Sequence, residues 1–221
     1  MWQWLKWRQP VDEIVRQYNQ VPPPPATTPL SKCRFLVLDL ETTGLNPNKD
    51  HIVSIGWVLV EQQQIRLSDS GYQLVKLPIS VGQSAIFHGL HDRDLSQAME
   101  LSDALRHLLQ LAAGAVLVAH HAQLEQRFLS QACRRCFGKT PRFRFLDTMK
   151  LEWQRSQHQG KVLTNDGLRL PNCLARHHLP MSQHHHAQED AFSAALLLLS
   201  QMKQTRSTES TLGDLWQLAP N

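Results

Sequence analysis

No stretch of the 221-residue chain offers about eighteen consecutive apolar residues, the length that would cross a bilayer, so no membrane span is expected. Cysteine is scarce. Cys33, Cys133, Cys136 and Cys173 are too few for a disulfide framework in a chain of this size, and they read as reduced thiols. Cys133 and Cys136 form a C-x-x-C, but no second C-x-x-C or H-x-x-x-H stands at the spacing of a structural zinc site. A basic block is missing too: the net charge of +4 comes from scattered Lys and Arg, which permits a polyanionic partner without requiring one. The first residues, Met1 to Arg8, contain Trp2, Trp4 and Trp7 but neither the apolar core nor the small-residue cleavage site of a signal peptide. A cytoplasmic location is therefore expected. There is no internal repeat.

The length suits one well-filled domain with short appendages. Val11, Ile14, Val15 and Tyr18 recur at helical spacing after Pro10, and the proline-rich run Val21 to Pro29 reads as an extended linker. Residues 1–30 are thus expected to form an N-terminal arm, separable enough that deleting them would spare catalysis. Residues 31–205 would form the main domain and residues 206–221 a tail. That tail reads as polar and loose until Leu212 to Trp216, a segment suited to docking on the domain or on a partner.

Within the domain, Phe35 to Leu40, His51 to Val60 and Ile65 to Leu77 read as strands, with Gly71 allowing a bulge or bend. Their short connections favour antiparallel neighbours. A helix follows (Leu101, Leu105, Leu108, Leu109, Ala112), then a short buried strand at Ala115 to Ala119 and a helix marked by Leu124, Phe128, Leu129 and Ala132. Another brief strand spans Phe143 to Leu146. The final helix, about Gln188 to Met202, is apolar nearly all round its middle and should be buried. The fold class is α/β: a mixed sheet of three antiparallel strands and then two parallel ones, with helices on both faces.

Polar residues gather where these strands end. Asp39 and Glu41, in Asp39-Leu40-Glu41-Thr42-Thr43-Gly44, are two residues apart on a strand and so point to one face. Two carboxylates there either face water or repel one another unless a cation sits between them. Val118-Ala119-His120-His121-Ala122 brings Glu125 about one turn into the next helix. His185 precedes the final helix, and Asp190 lies in its first turn, where the helix dipole alone would favour an acid. Asp147, another strand-end acid, reads as an N-cap for the following helix rather than a ligand.

The order D-x-E-T-T-G, V-A-H-x-A-x-x-E followed by Phe-Leu, and H-x-A-x-x-D-A resembles the DEDD superfamily of 3′–5′ exonucleases. More narrowly it resembles the DEDDh branch, which includes the proofreading subunit of bacterial replicative polymerase, ribonuclease T and oligoribonuclease. The resemblance spans roughly Cys33 to Met202. It implies a ribonuclease H-like fold and phosphodiester hydrolysis with two divalent cations, Mg2+ or Mn2+. By match to the pattern, Asp39 would bridge the two ions, Glu41 and Asp190 would hold the ion beside the attacking water, and Glu125 would serve the second. His185 would be the general base, chosen over His186 by the H-x-x-x-x-D spacing of the h branch. Thr42, Thr43, Gly44 and His88 would hold the 3′-terminal nucleotide.

Two positions depart from the family pattern: Glu125 stands where Asp is usual, and His121 where Asn is usual. The longer Glu125 side chain must fold back, or the second ion must shift, so reduced or metal-dependent activity is expected. The leading expectation is a 3′–5′ exonuclease on the 3′ end of single-stranded DNA, releasing nucleoside 5′-monophosphates in proofreading or repair. The alternatives are an exoribonuclease on short RNA or RNA 3′ ends, and a non-catalytic nucleic-acid-binding or adaptor protein of the same fold. A polymerase or other protein partner could engage the N-terminal arm or the C-terminal tail.

Overall fold

The computed structural model describes residues 13–78, 98–181, 186–204 and 210–219. Five strands form one mixed sheet: β1 (Arg34–Thr42), β2 (Ile52–Glu61), β3 (Gln64–Leu74), β4 (Val116–Ala119) and β5 (Phe145–Asp147), in the order β3-β2-β1-β4-β5. β1–β2 and β2–β3 pair antiparallel, β1–β4 and β4–β5 parallel. The expected fold class is therefore observed. The tight β2–β3 turn places Gln62 and Gln63 at φ 50° and 58°, the left-handed pair that matches the twist of a two-residue hairpin.

Alternation along β1 sorts the core into two layers. Leu36, Leu38 and Leu40 face one side, packed with α1 (Glu13–Gln20), α2 (Leu101–Ala112) and α3 (Ala122–Phe137). Phe35 and Val37 face the other, packed with α4 (Thr148–His158), α6 (Ala187–Lys203) and α7 (Leu212–Leu218). A short α5 (Leu170–Arg176) abuts α6. Asp39 continues the Phe35–Val37 series and Gly56 is its cross-strand partner, so both face the α6 side. Gly71 lies opposite Trp57, whose indole fills the place of its missing side chain, at an irregularity in the β2–β3 register.

The last helices are joined by a buried polar cluster. Glu152 of α4 accepts from Arg176 Nε at 3.0 Å, His177 Nε2 at 2.9 Å and Gln201 Nε2 at 3.2 Å. These donors hold its carboxyl at about 2, well below the usual carboxylate value despite burial. Among the described residues no helix is long and apolar enough to cross a membrane. All four cysteines are free thiols.

The described parts of both appendages, residues 13–30 and 210–219, lie against the domain. Ile14, Val15 and Tyr18 of α1 are buried in the first core layer, with Tyr18 edge-on to Phe143 at 5.6 Å. The proline-rich segment runs beside the C-terminal one: Leu30 N–H donates to Ser210 O at 2.9 Å, Leu212 N–H to Thr28 O at 2.9 Å and Gly213 N–H to Ala26 O at 2.7 Å. Thr211 and Asp214 form a capping box that starts α7, which buries Leu212, Leu215 and Trp216. Deleting residues 1–30 would thus uncover core surface, at about 1.5–3 kcal/mol per buried apolar side chain. A marked fall in melting temperature by differential scanning calorimetry is expected; an unchanged midpoint would mean that the arm is thermodynamically independent.

Candidate metal centre

The carboxylates of Asp39, Glu41 and Asp190 each offer an oxygen, and these oxygens lie within 4.8 Å of one another. Asp39 and Glu41 share a face of β1 because a single residue, Leu40, separates them on a strand. Asp190 arrives from the first turn of α6, and a glycine explains how closely that turn approaches. A Cβ on Gly56 would lie 2.1 Å from the carbonyl carbon of Ala187 and 2.2 Å from the amide nitrogen of Gln188. The first turn of α6 therefore rests directly on the backbone of β2, beside Asp39. His186, the N-cap residue, adds a second anchor by stacking on Tyr72 at 4.2 Å, and Tyr72 is the cross-strand neighbour of Gly56.

Glu125 reaches the site from α3, on the opposite layer of the core. It is buried, and its Oε2 has no hydrogen-bond partner among the described residues. Of the charged neighbours of Asp39, Glu125 raises its carboxyl most, ahead of Asp190 and Glu41; burial raises it further than any of them. Burial and then Asp190 bring Glu41 to about 7, while burial is the main cause that brings Glu125 to about 8. A buried carboxylate oxygen without a donor, beside three converging carboxylates, is a donor set that fits hard divalent cations.

The turn beyond these acids is held by its own hydrogen bonds. Thr42 Oγ1 donates to Gly44 O at 2.7 Å, Thr43 N–H donates to His51 O at 2.9 Å, and His51 N–H donates to Thr43 Oγ1 at 3.0 Å. Gly44 packs against the Asp50 carboxylate, which occupies the space a Cβ would need, 2.5 Å from its Oδ2. His88 and His185, expected at the site, lie outside the described residues.

Asp147 and His120 fix the strand-to-helix turn that carries Glu125. Asp147 caps α4, as expected, accepting from Met149 N–H at 2.9 Å and Lys150 N–H at 3.4 Å. It also accepts from His121 N–H at 3.1 Å and Ala122 N–H at 3.0 Å, so one side chain secures the start of α3 as well. His121 sits at φ 75°, a left-handed conformation that Asn adopts more readily than His. His120 donates from Nε2 to Leu168 O at 2.8 Å, which leaves Nδ1 to accept from the Thr148 hydroxyl at 2.9 Å. Burial lowers its pKa and keeps the ring neutral.

Sequence reasoning missed Gly56 and the double role of Asp147. A lone glycine inside an apolar strand was the available signal for the first, since it marks close backbone approach. Nothing in the chain marked the second, because the start of α3 and Asp147 are 25 residues apart and meet only across β4 and β5.

Two outcomes follow from this geometry. Gly56→Ala must push α6 off β2; a cost of at least about 1–3 kcal/mol is expected, read by chemical denaturation, together with weaker Mn2+ binding. Normal stability and normal binding would show that Gly56 does not set the position of Asp190. In metal-free protein, Glu41 and Glu125 hold protons to about 7 and 8 when folded but titrate near 4.5 when unfolded. The folded state then binds more protons than the unfolded state between these values, so stability falls as pH rises through that window. With chelator present, the melting temperature should drop from pH 5 to pH 8, and Mn2+ should restore it most at pH 8. A flat profile in chelator would contradict the raised carboxyls.

The exonuclease family model RNase_T matches residues 36–198. A PolC-type DNA polymerase III from Caldanaerobacter subterraneus subsp. tengcongensis is 29% identical over 169 residues, which cover 76% of this chain and 12% of that protein. The 3′–5′ exonuclease DinG of Staphylococcus epidermidis is 26% identical over 166 residues, covering 75% of this chain and 18% of that protein. The chain thus spans under a fifth of the length of either relative. The nuclease domain of 3′hExo, a DEDDh family member bound to rAMP, shares the fold with a TM-score of 0.68 at 15% identity, over 80% of this chain and 96% of that one. The chain belongs to the RNase_T exonuclease family, and it shares the fold of that DEDDh family member.

Proposed function

We propose that the protein is a metal-dependent 3′–5′ exonuclease that acts on the 3′ end of single-stranded DNA and releases nucleoside 5′-monophosphates. The observation that carries this reading is the convergence of Asp39, Glu41 and Asp190 within 4.8 Å, with the unpartnered Glu125 oxygen beside them. Asp39, Glu41, Asp190 and Glu125 would hold two divalent cations, Mg2+ or Mn2+. Bound there, the cations would supply the charge stabilisation that phosphodiester hydrolysis requires.

The rest is performed by the chain itself. Thr42, Thr43 and Gly44 form a turn already fixed by internal hydrogen bonds, immediately beyond Glu41, and would seat the 3′-terminal nucleotide together with His88. His185 would take a proton from the attacking water, as an imidazole titrating near neutrality can. His186 is engaged in stacking on Tyr72 at the head of α6, which supports a packing role for it and leaves the base role to its neighbour. DNA is favoured because relatives over this same region include a DNA polymerase. The RNA alternative draws on the ribonucleotide bound to 3′hExo. A protein partner, a polymerase among them, would meet the Trp-rich residues 1–12, since α7 turns its apolar face to the domain.

The test is a 3′-end assay on a 15-nucleotide DNA and the equivalent RNA, with Mg2+, Mn2+ or chelator. Stepwise shortening from the 3′ end is expected, faster on DNA and abolished by chelator; inertness on both polymers with both metals would favour a non-catalytic adaptor. His185→Ala should lower the rate about 10²–10⁴-fold, while His186→Ala keeps most of it. The reverse pattern would move the base to position 186. Glu125→Asp should retain or raise activity, and its complete loss would mean that the pocket is built around glutamate.

A further inference from the structure

Outside the acidic centre, a groove of ≈ 790 Å³ separates the loop after β1 from the outward face of α3. Its loop wall is Leu45 to Asn48, and its helix wall includes Gln123, Gln126, Arg127, Ser130 and Arg134. We infer that this groove binds the phosphodiester backbone of the substrate strand upstream of the bond to be cut; the inference rests on the exonuclease reading.

Charge is the first argument. Arg127 and Arg134 are exposed, and neither guanidinium has an acid or carbonyl partner among the described residues. Among the described residues, no Asp or Glu lines the groove. Seven residues apart on one helix, the two arginines share a face about two turns, or roughly 10 Å, along the axis. That places two cations in a row along the groove rather than at one point. Gln123 and Gln126 add amide donors of the kind that contact phosphate and sugar without reading bases.

The opposite wall is prefixed. A third arginine of the same helix, Arg135, is used structurally: its Nη2 donates to Pro47 O at 3.2 Å and Asn48 O at 2.7 Å. Within the loop, Asn46 N–H donates to Asp50 Oδ2 at 2.7 Å and Asn48 N–H to Asn46 Oδ1 at 3.0 Å. The loop is thus tied to α3 at a set distance, and the space between them is a built channel. Of the three arginines, one fixes the wall and two remain for a ligand.

Position is the last argument. The loop wall starts at Leu45, directly after the Thr42–Gly44 turn, and the helix wall starts at Gln123 and Gln126, which flank Glu125. The groove therefore begins at segments that adjoin the metal centre along the chain and leads away along α3, on the face of the helix opposite the buried Glu125. A strand whose 3′ end enters the centre would lay its preceding phosphates past Arg127 and Arg134. Such binding is independent of sequence and sensitive to salt.

Fluorescence anisotropy of a labelled 15-nucleotide oligo(dT), in chelator and across a salt titration, reads this directly. Arg127→Ala/Arg134→Ala should weaken binding roughly tenfold and reduce the slope of log K against log salt by about 1.4, two single-strand phosphates at about 0.7 each. Arg127→Lys/Arg134→Lys should keep the slope. In Mg2+, the ratio of kcat/KM for the 15-mer to that for a dinucleotide should fall in the alanine pair by a similar factor. An RNA 15-mer should lose affinity equally, because the contacts are to phosphate; a loss confined to DNA would overturn the phosphate assignment. An unchanged slope and an unchanged substrate ratio would overturn the groove while leaving the exonuclease reading intact. Salt-sensitive binding that depends on both arginines, without any cleavage by the native protein, would support the groove and contradict the exonuclease reading.

Discussion

Three carboxylate oxygens confined within 4.8 Å, with a fourth carboxylate against them, repel one another. Burial removes the water that would otherwise screen them, so Asp39, Glu41 and Glu125 favour the protonated form or a bound cation. The constraint that creates this state is the contact between the backbone of α6 and β2 at Gly56. With a side chain at that point, Asp190 would withdraw from Asp39 and the cluster would open. Function and packing are therefore set by the same missing atom group.

The surrounding scaffold reads as a set of braces against the repulsion. The two apolar layers grip the sheet from both faces, and Asp39 stands where they meet the strand end. Asp147 ties the heads of α3 and α4 to β5, and so fixes the turn from which Glu125 projects. His186 on Tyr72 fixes the head of α6. Farther away, Glu152 with Arg176, His177 and Gln201 locks α4, α5 and α6 together. A buried cluster of this kind, with both oxygens of Glu152 engaged, orients helices more than it adds net stability.

Much of the architecture was legible because periodicity records burial. The apolar run Phe35 to Leu38, the mostly apolar second strand and the all-round apolar middle of the last helix each fell in an element whose apolar residues are buried. The acids of the site could be named because each closes an apolar strand or opens a helix. What could not be read were contacts between segments distant in sequence. The seating of α1 in the core depends on Phe143, and the pairing of the proline-rich segment with residues 210–213 depends on backbone groups that no side-chain pattern reports. His121 at φ 75° looked like a simple departure from the family pattern; in the fold it occupies a left-handed turn that Asp147 secures.

The central claim is that the fold assembles these carboxylates to take up divalent cations. Counting bound Mn2+ by electron paramagnetic resonance, as free ion lost during titration of the native chain, tests it most directly. The account predicts saturable uptake of two ions per chain, removed by Asp39→Asn with the secondary structure intact. No saturable uptake by the native protein, or uptake unaffected by Asp39→Asn, would contradict it.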